Sequence, residues 1–266
     1  LKRFWPKGTV PGDGNIAAPR DVAMANPMAL FETNEGDFEA EIYLDRVPLS
    51  ASNFIDLARA GFYDGLHFHR VIAGFMNQFG CPHSRDPTSL SAGMGSPPPG
   101  GKFVNLKSGA VERRSYSGCI PDERVSPDSN VPGSLSMANT GQPSSGGSQI
   151  FFNLAHNRYL DWFTPGDSKH PVFGMIKSGM ETLTKISQVP TMNERPLTPV
   201  KMIKVTITGA PEAKAAMSVS RGRSSSSSSS SSSRRKRKKK KKKGRRKRST
   251  SSSRSRSRGR DKKRRR

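Results

Sequence analysis

The residues with the most chemical content lie in one stretch, Phe68-His69-Arg70-Val71-Ile72-Ala73-Gly74-Phe75-Met76-Asn77-Gln78, which sets a single cation among aromatic and sulfur side chains. Alternation places Phe68, Arg70 and Ile72 on one face of an extended segment. Gly74 permits a turn that returns Phe75 and Met76 beside them. A guanidinium next to apolar surface suits a ligand that is largely apolar and carries one acceptor atom. The same arginine could instead anchor a loop through a carboxylate, a common use of a lone Arg. His69 reads as a structural neighbour of Arg70. No Ser/His/Asp, Cys/His or zinc-ligand spacing accompanies the stretch, so no covalent nucleophile, metal or cofactor is expected. Cys81-Pro82-His83 offers half a metal site with no second cluster at ligand spacing. With Cys81 and Cys119 as the only cysteines, a disulfide framework is excluded and a reducing compartment fits.

The elements that must position these residues are short. Residues 29–33 and 38–44 read as a hairpin around a turn at 34–37, with Phe38, Ala40, Ile42 and Leu44 on one face and Glu39, Glu41 and Tyr43 on the other. Pro48 and Ser50 open a helix to about Ala60, with Phe54, Leu57 and Ala58 as its buried stripe and Gly61 beyond its end. Strands resume over 62–80. Residues 82–101 hold five prolines and four glycines, which interrupt helix and ladder alike, and 102–132 show no clear period. Further strands are predicted at 133–138, 149–154, 172–176 and 201–208, the last with Ile203, Val205 and Ile207 inward, and a second helix at 180–187. Seven or eight short strands with two helices describe a mainly β domain.

Four blocks carry a resemblance. The opening stretch, then Leu135-Ser136-Met137-Ala138-Asn139-Thr140, Gly147-Ser148-Gln149-Ile150-Phe151-Phe152 and His170-Pro171-Val172-Phe173-Gly174 occur in the order of the cyclophilin family, so that residues 28 to 209 or so resemble a cyclophilin. The resemblance implies a closed eight-stranded antiparallel barrel capped by two α-helices and peptidyl-prolyl cis-trans isomerase activity. It also implies that Phe75, Met76, Phe151, Leu160 and His170 line a pocket for the proline ring, while Gln78, Ala138, Asn139 and Gln149 hold the peptide backbone. Taken singly, the apolar members of this set would pass for ordinary core. The chemistry needs no nucleophile: a prolyl amide must lose resonance as it twists over a barrier of about 18–20 kcal/mol, and its nitrogen gains a lone pair. A donor aimed at that nitrogen favours the twisted state, and Arg70 is the candidate donor. The expected partners are proline-containing polypeptides and, by family resemblance, cyclosporin; a monomer is expected. Two departures stand out. The family's Gly-Gly after the glutamine is Phe79-Gly80, expected to reshape the loop behind the pocket. Tyr159 stands where many cyclophilins have Trp before the pocket leucine, which weakens the expectation of drug binding.

The two ends differ from this body. Residues 1–26 mix Pro and Gly with basic residues and read as an irregular lead-in. They begin at Leu1 rather than Met, which leaves an upstream targeting segment open. Residues 221–266 carry 25 of the 46 Lys and Arg and one of the 21 Asp and Glu, hence +24 of the total +25. Ten serines at 224–233, a basic run at 234–248 and an Arg-Ser repeat at 254–258 leave almost nothing apolar, so a disordered tail over 211–266 is expected, following an isomerase domain at 27–210. Such a tail suits nuclear import and, as alternatives, RNA or Arg/Ser-protein binding; a cytoplasmic location is the weaker expectation. No apolar run approaches the ~20 residues of a membrane span.

Overall fold

The computed structural model describes residues 25–213, so the predicted lead-in and tail lie almost wholly outside the described residues. In chain order the elements are β1 (Met28–Thr33), β2 (Gly36–Ile42), α1 (Pro48–Arg59), β3 (Arg70–Ile72), β4 (Met76–Phe79), β5 (Lys102–Val104) and β6 (Val111–Arg113). They continue as β7 (Ser134–Met137), β8 (Ile150–Asn153), β9 (Val172–Ser178), α2 (Met180–Ser187), β10 (Thr191–Met192), β11 (Arg195–Pro196) and β12 (Met202–Thr208). Eight strands form one antiparallel sheet in the order β12-β1-β2-β9-β7-β8-β4-β3. Its inward residues follow the period of two: Phe31 opposes Phe38 and Ala29 opposes Ala40, all buried. The enclosed core is largely aromatic. Phe31 meets Phe152 edge-on at 5.4 Å, and Phe54 of α1 lies 5.3 Å from Tyr63 and 5.4 Å from Phe173. Leu183 and Ile186 of α2 close the same core.

The expected closed barrel is not found. The sheet is a curled half-barrel whose edge strands, β3 and β12, share no ladder. A single bridge between His67 and Lys201 spans the seam, with the Phe68 N–H donating to the Val200 carbonyl at 3.0 Å and the Met202 N–H to Leu66 at 2.8 Å. The reason lies at β3, which is only three residues long. Its outer edge is taken by the β10–β11 hairpin, through the Val71 N–H bonded to the Glu194 carbonyl at 2.7 Å.

Three further expectations change. Val205 is buried and Ile207 packs against the core as expected, but Ile203 is 53 % exposed because a bulge opposite Glu32 and Thr33 shifts the phase of β12, and Met202 points inward in its place. Phe68 does not sit beside Arg70: the strand begins only at Arg70, and the Phe68 ring stacks on Phe79 in the core at 5.3 Å. Residues 102–113 form the small β5–β6 hairpin, whose Arg114 neighbour reaches back to α1. Helix α1 begins with Pro48 after Val47, which has no capping side chain. Glu123 supplies the missing acceptor from the loop, receiving the Leu49 and Ser50 N–H groups at 2.9 and 2.7 Å.

Candidate functional site

Strand register sets the site on the outer face of β3, β4 and β8. Arg70 opposes Gln78 and Gln78 opposes Phe151, giving one row; Ile72, Met76 and Asn153 give the next. The alternate residues Val71, Phe79 and Phe152 point into the core. Phe79 therefore fills the interior and leaves the pocket's outer loop alone, contrary to the expectation from its departure. The glycine after it is required, because at φ +95° a Cβ on Gly80 would collide with the Ser148 carbonyl.

Met76, Phe151 and Leu160 form a small buried cluster separate from the main core, with Ile72, Phe75 and Ala138 packed against it. The His170 ring stands edge-on to Phe151 at 5.3 Å, and its Nδ1–H donates to the Met137 carbonyl at 3.0 Å. Burial pushes His170 below the usual imidazole range, opposed by that hydrogen bond, so the ring is neutral near pH 7. Phe75 stacks on Tyr159 at 6.2 Å, and Tyr159 is 59 % exposed at the pocket's rim. These contacts make a shallow apolar cup with Arg70 at its edge.

Beside the cup lies a cavity of about 150 Å³ lined by Gln78, Ala138, Asn139, Gln149, Met94 and Thr140. Gln78 donates to Gln149 at 3.0 Å, and Gln149 donates to the carbonyls of Gly93 and Gly95 at 2.8 and 2.9 Å. Gln149 thus ties the 86–95 loop to the sheet. The Asn139 side chain is likewise engaged, donating to Lys169 and accepting from the Gly141 N–H. Its main chain has no hydrogen-bond partner among the described residues. Of the ten site residues singled out from the sequence, nine line the cup or this adjoining cavity, and Arg70 stands across the β3–β4 ladder from Gln78.

Sequence reading missed what holds the cup in place. The turn carrying Tyr159 and Leu160 is fixed by buried Asp161, which accepts from Ser129 Oγ at 2.6 Å and from the Asn130 N–H and Nδ2 at 2.7 and 2.8 Å. Asn157 donates to the Phe75 carbonyl at 3.1 Å and to Asn153 at 2.7 Å. These partners lie up to about eighty residues apart, beyond any local pattern. Glu194 was missed too: its carboxylate accepts from Arg70 Nε at 2.6 Å. His69 is half-buried, its two ring nitrogens shielded from solvent with no hydrogen-bond partner among the described residues, and Cys81 Sγ accepts the Gly95 N–H at 3.2 Å.

The profile of the family described as cyclophilin type peptidyl-prolyl cis-trans isomerase/CLD matches residues 28–207. The chain belongs to this family. Among its relatives, the peptidyl-prolyl cis-trans isomerase of Acinetobacter baylyi is 35 % identical over 198 residues, covering 72 % of this chain and 91 % of that protein. The peptidyl-prolyl cis-trans isomerase-like 1 of Emericella nidulans is 36 % identical over 183 residues, covering 68 % and 94 %. In fold, the chain is similar to a Cryptosporidium parvum cyclophilin type isomerase, with a TM-score of 0.54 at 24 % identity over 70 % of this chain and 99 % of that one. The crystal structure of that isomerase in the presence of the dipeptide Ala-Pro gives a TM-score of 0.52 at 23 % identity, covering 68 % and 98 %. This cyclophilin is a peptidyl-prolyl cis-trans isomerase by membership.

Proposed function

We propose that the protein isomerises X-Pro bonds of polypeptide substrates in the cup, with Arg70 as the donor to the prolyl nitrogen in the twisted state. The observation that carries this reading is the row Arg70, Gln78, Phe151 on one outer face, which sets the cation at the edge of an apolar seat. The proline ring rests on Met76, Phe151 and Leu160, with Phe75 and His170 as walls. The peptide backbone on the N-terminal side pairs with the free main chain of Asn139, and Gln78 keeps its carbonyl for a substrate N–H. No group changes its covalent state, and the work is electrostatic: a charge-assisted donor favours a developing lone pair over the delocalised amide. Neutral His170 suits this role, since a second cation against the ring would be desolvated for nothing.

The biological setting we propose is the folding or remodelling of proline-containing proteins in the nucleus, reached through the basic residues at 234–248. Exchange spectroscopy on an Ala-Pro peptide tests the catalytic part: wild type accelerates exchange, and Arg70→Ala loses most of that acceleration while remaining folded. Equal rates would remove Arg70 from the mechanism. The location of a tagged full-length protein, set beside a chain ending at Ala216, tests the nuclear part; identical distributions would sink it.

A further inference from the structure

Arg70 does not stand alone. The β10–β11 hairpin turns through two residues, Asn193 and Glu194, with φ of 51° and 65°. A two-residue turn of this kind asks for left-handed backbone at both positions, where Asn is tolerated and Gly is favoured second. Glutamate at φ 65° is therefore strained, by about 1 kcal/mol or more. Something has to be gained by keeping a carboxylate at that position.

Stability of the hairpin is not a sufficient answer. The backbone already docks it, through Val71 N–H to the Glu194 carbonyl at 2.7 Å and Leu197 N–H to Pro190 at 2.8 Å, and Pro196 is buried beneath. The side chains of Arg70 and Glu194 are 41 % and 48 % exposed, and exposed ion pairs contribute little to folding. What the contact does decide is where the guanidinium points. Glu194 approaches with its hairpin from the outer edge of β3, opposite the side on which β4 carries Gln78 and Met76. It engages Nε at 2.6 Å, and no other hydrogen bond of this guanidinium forms among the described residues. Nη1 and Nη2 have no hydrogen-bond partner among the described residues.

We propose that Glu194 is a positioning residue for the reaction: it clamps Nε of Arg70 so that the two terminal amino groups are presented to the prolyl unit. The inference rests on the reading of Arg70 as the donor. A long side chain on an edge strand has several rotamers of similar energy, and without the clamp only part of the population is aimed productively.

The test uses the full chain with Glu194→Gly, Glu194→Gln, Arg70→Ala and the Glu194→Gly/Arg70→Ala pair, reading exchange kinetics of an Ala-Pro peptide, its binding by titration, and the thermal midpoint. Glu194→Gly relieves the left-handed strain while deleting the clamp, so the midpoint should stay level or rise while kcat falls about tenfold. Peptide affinity should remain roughly within twofold, because the cup itself is untouched. Glu194→Gln, which keeps a neutral acceptor at the same reach, should recover part of the loss. In the Arg70→Ala background the glycine substitution should have no further effect. Wild-type kcat in Glu194→Gly, with Arg70→Ala inactive, overturns the clamp and leaves Arg70 in place. A drop in kcat that also appears in the Arg70→Ala background overturns it as well. Full activity in Arg70→Ala overturns the donor and the clamp together.

Discussion

Of the arginines that pair with carboxylates in this domain, Arg114 and Arg70 lie in two regions that use the same chemistry oppositely. Arg114, just after β6, is 5 % exposed; its Nε donates to Asn53 at 2.8 Å and its Nη2 to Asp56 at 2.7 Å, and its guanidinium lies over the Phe103 ring at 4.9 Å. Asn53 in turn donates to the Gly147 carbonyl at 2.8 Å, so α1, the β5–β6 hairpin and the loop ahead of β8 meet at one buried cation. Arg70 sits on an edge strand with a single carboxylate and open solvent beside it. Saturated partners and burial make a structural rivet, whereas the half-satisfied donors of Arg70 suit the working role proposed for it.

The largest expected effect breaks the comparison at Arg70. Arg70→Ala should raise the barrier for X-Pro exchange by roughly 2–4 kcal/mol, a rate loss of about 30- to 900-fold, because a charge-assisted donor to the transition state is gone. Its unfolding midpoint in urea should barely move, as an exposed pair is worth about 0–1 kcal/mol. A midpoint shift as large as that of the Arg114 variant would erase the distinction.

Arg114→Ala should do the reverse. Removing the cation strands Asn53 Oδ1 without a donor and leaves a void beside Phe103, a loss of about 2–3 kcal/mol in denaturant unfolding; Asp56, 39 % exposed, can rehydrate and limits the damage. The folded fraction should keep nearly its full turnover, measured by exchange at low temperature. A tenfold loss of turnover in that fraction would mean that the rivet also shapes the site.

The sequence made the two regions unequally legible. Arg70 could be singled out because its neighbours are contiguous: Phe75, Met76 and Gln78 follow within eight residues, and alternation alone sets Gln78 opposite it once β3 and β4 pair. Arg114 could not, since Asn53 and Asp56 lie some sixty residues away, and the β5–β6 hairpin is too short and too exposed to show a period. The two helices and the long strands were readable for the same local reason. The closed barrel was not realised because nothing local tells β3 that its outer edge meets a two-residue turn rather than β12. Glu194 was invisible for that reason too: its partner is 124 residues distant, and a charged residue in a turn looks like any solvated one.

A third basic residue sharpens the contrast between met and unmet charge. His69, one residue before Arg70, is half-buried with both ring nitrogens shut off from solvent, and burial pushes its imidazole down to about 4, against the opposing pull of Gln149 and with Arg195 and Arg70 adding repulsion. Above the unfolded value of about 6.5 neither state holds the proton, and stability is independent of this group. As the pH falls from there towards 4 the unfolded chain takes up a proton that the fold refuses, so stability declines, by up to roughly 3 kcal/mol, and levels off below the folded value. His170, also lowered by burial, adds to the same limb. His69→Leu should flatten the limb in urea unfolding between pH 6.5 and 4, without abolishing it. An unchanged limb would mean that the ring finds a partner when protonated.

The smallest effect is at the rim of the Arg70 region, where a change should alter ligand affinity and leave the rivet untouched. Tyr159 already stacks on Phe75 at 6.2 Å and presents its outer face to solvent. Tyr159→Trp keeps that stacking, widens the apolar surface and adds an indole N–H that can donate to a ligand carbonyl. Because the position is exposed, its contribution to folding should change by no more than about 0.5 kcal/mol. Cyclosporin, a large apolar cyclic peptide, gains from both the area and the donor, so its affinity should rise, by about three- to tenfold for roughly 1 kcal/mol of added contact. A short Ala-Pro peptide reaches the cup without touching the rim and should bind as before. Calorimetry with both ligands separates these outcomes: equal gains would mean the substitution had reshaped the cup through Phe75, and no gain for cyclosporin would take residue 159 out of the ligand's contact surface.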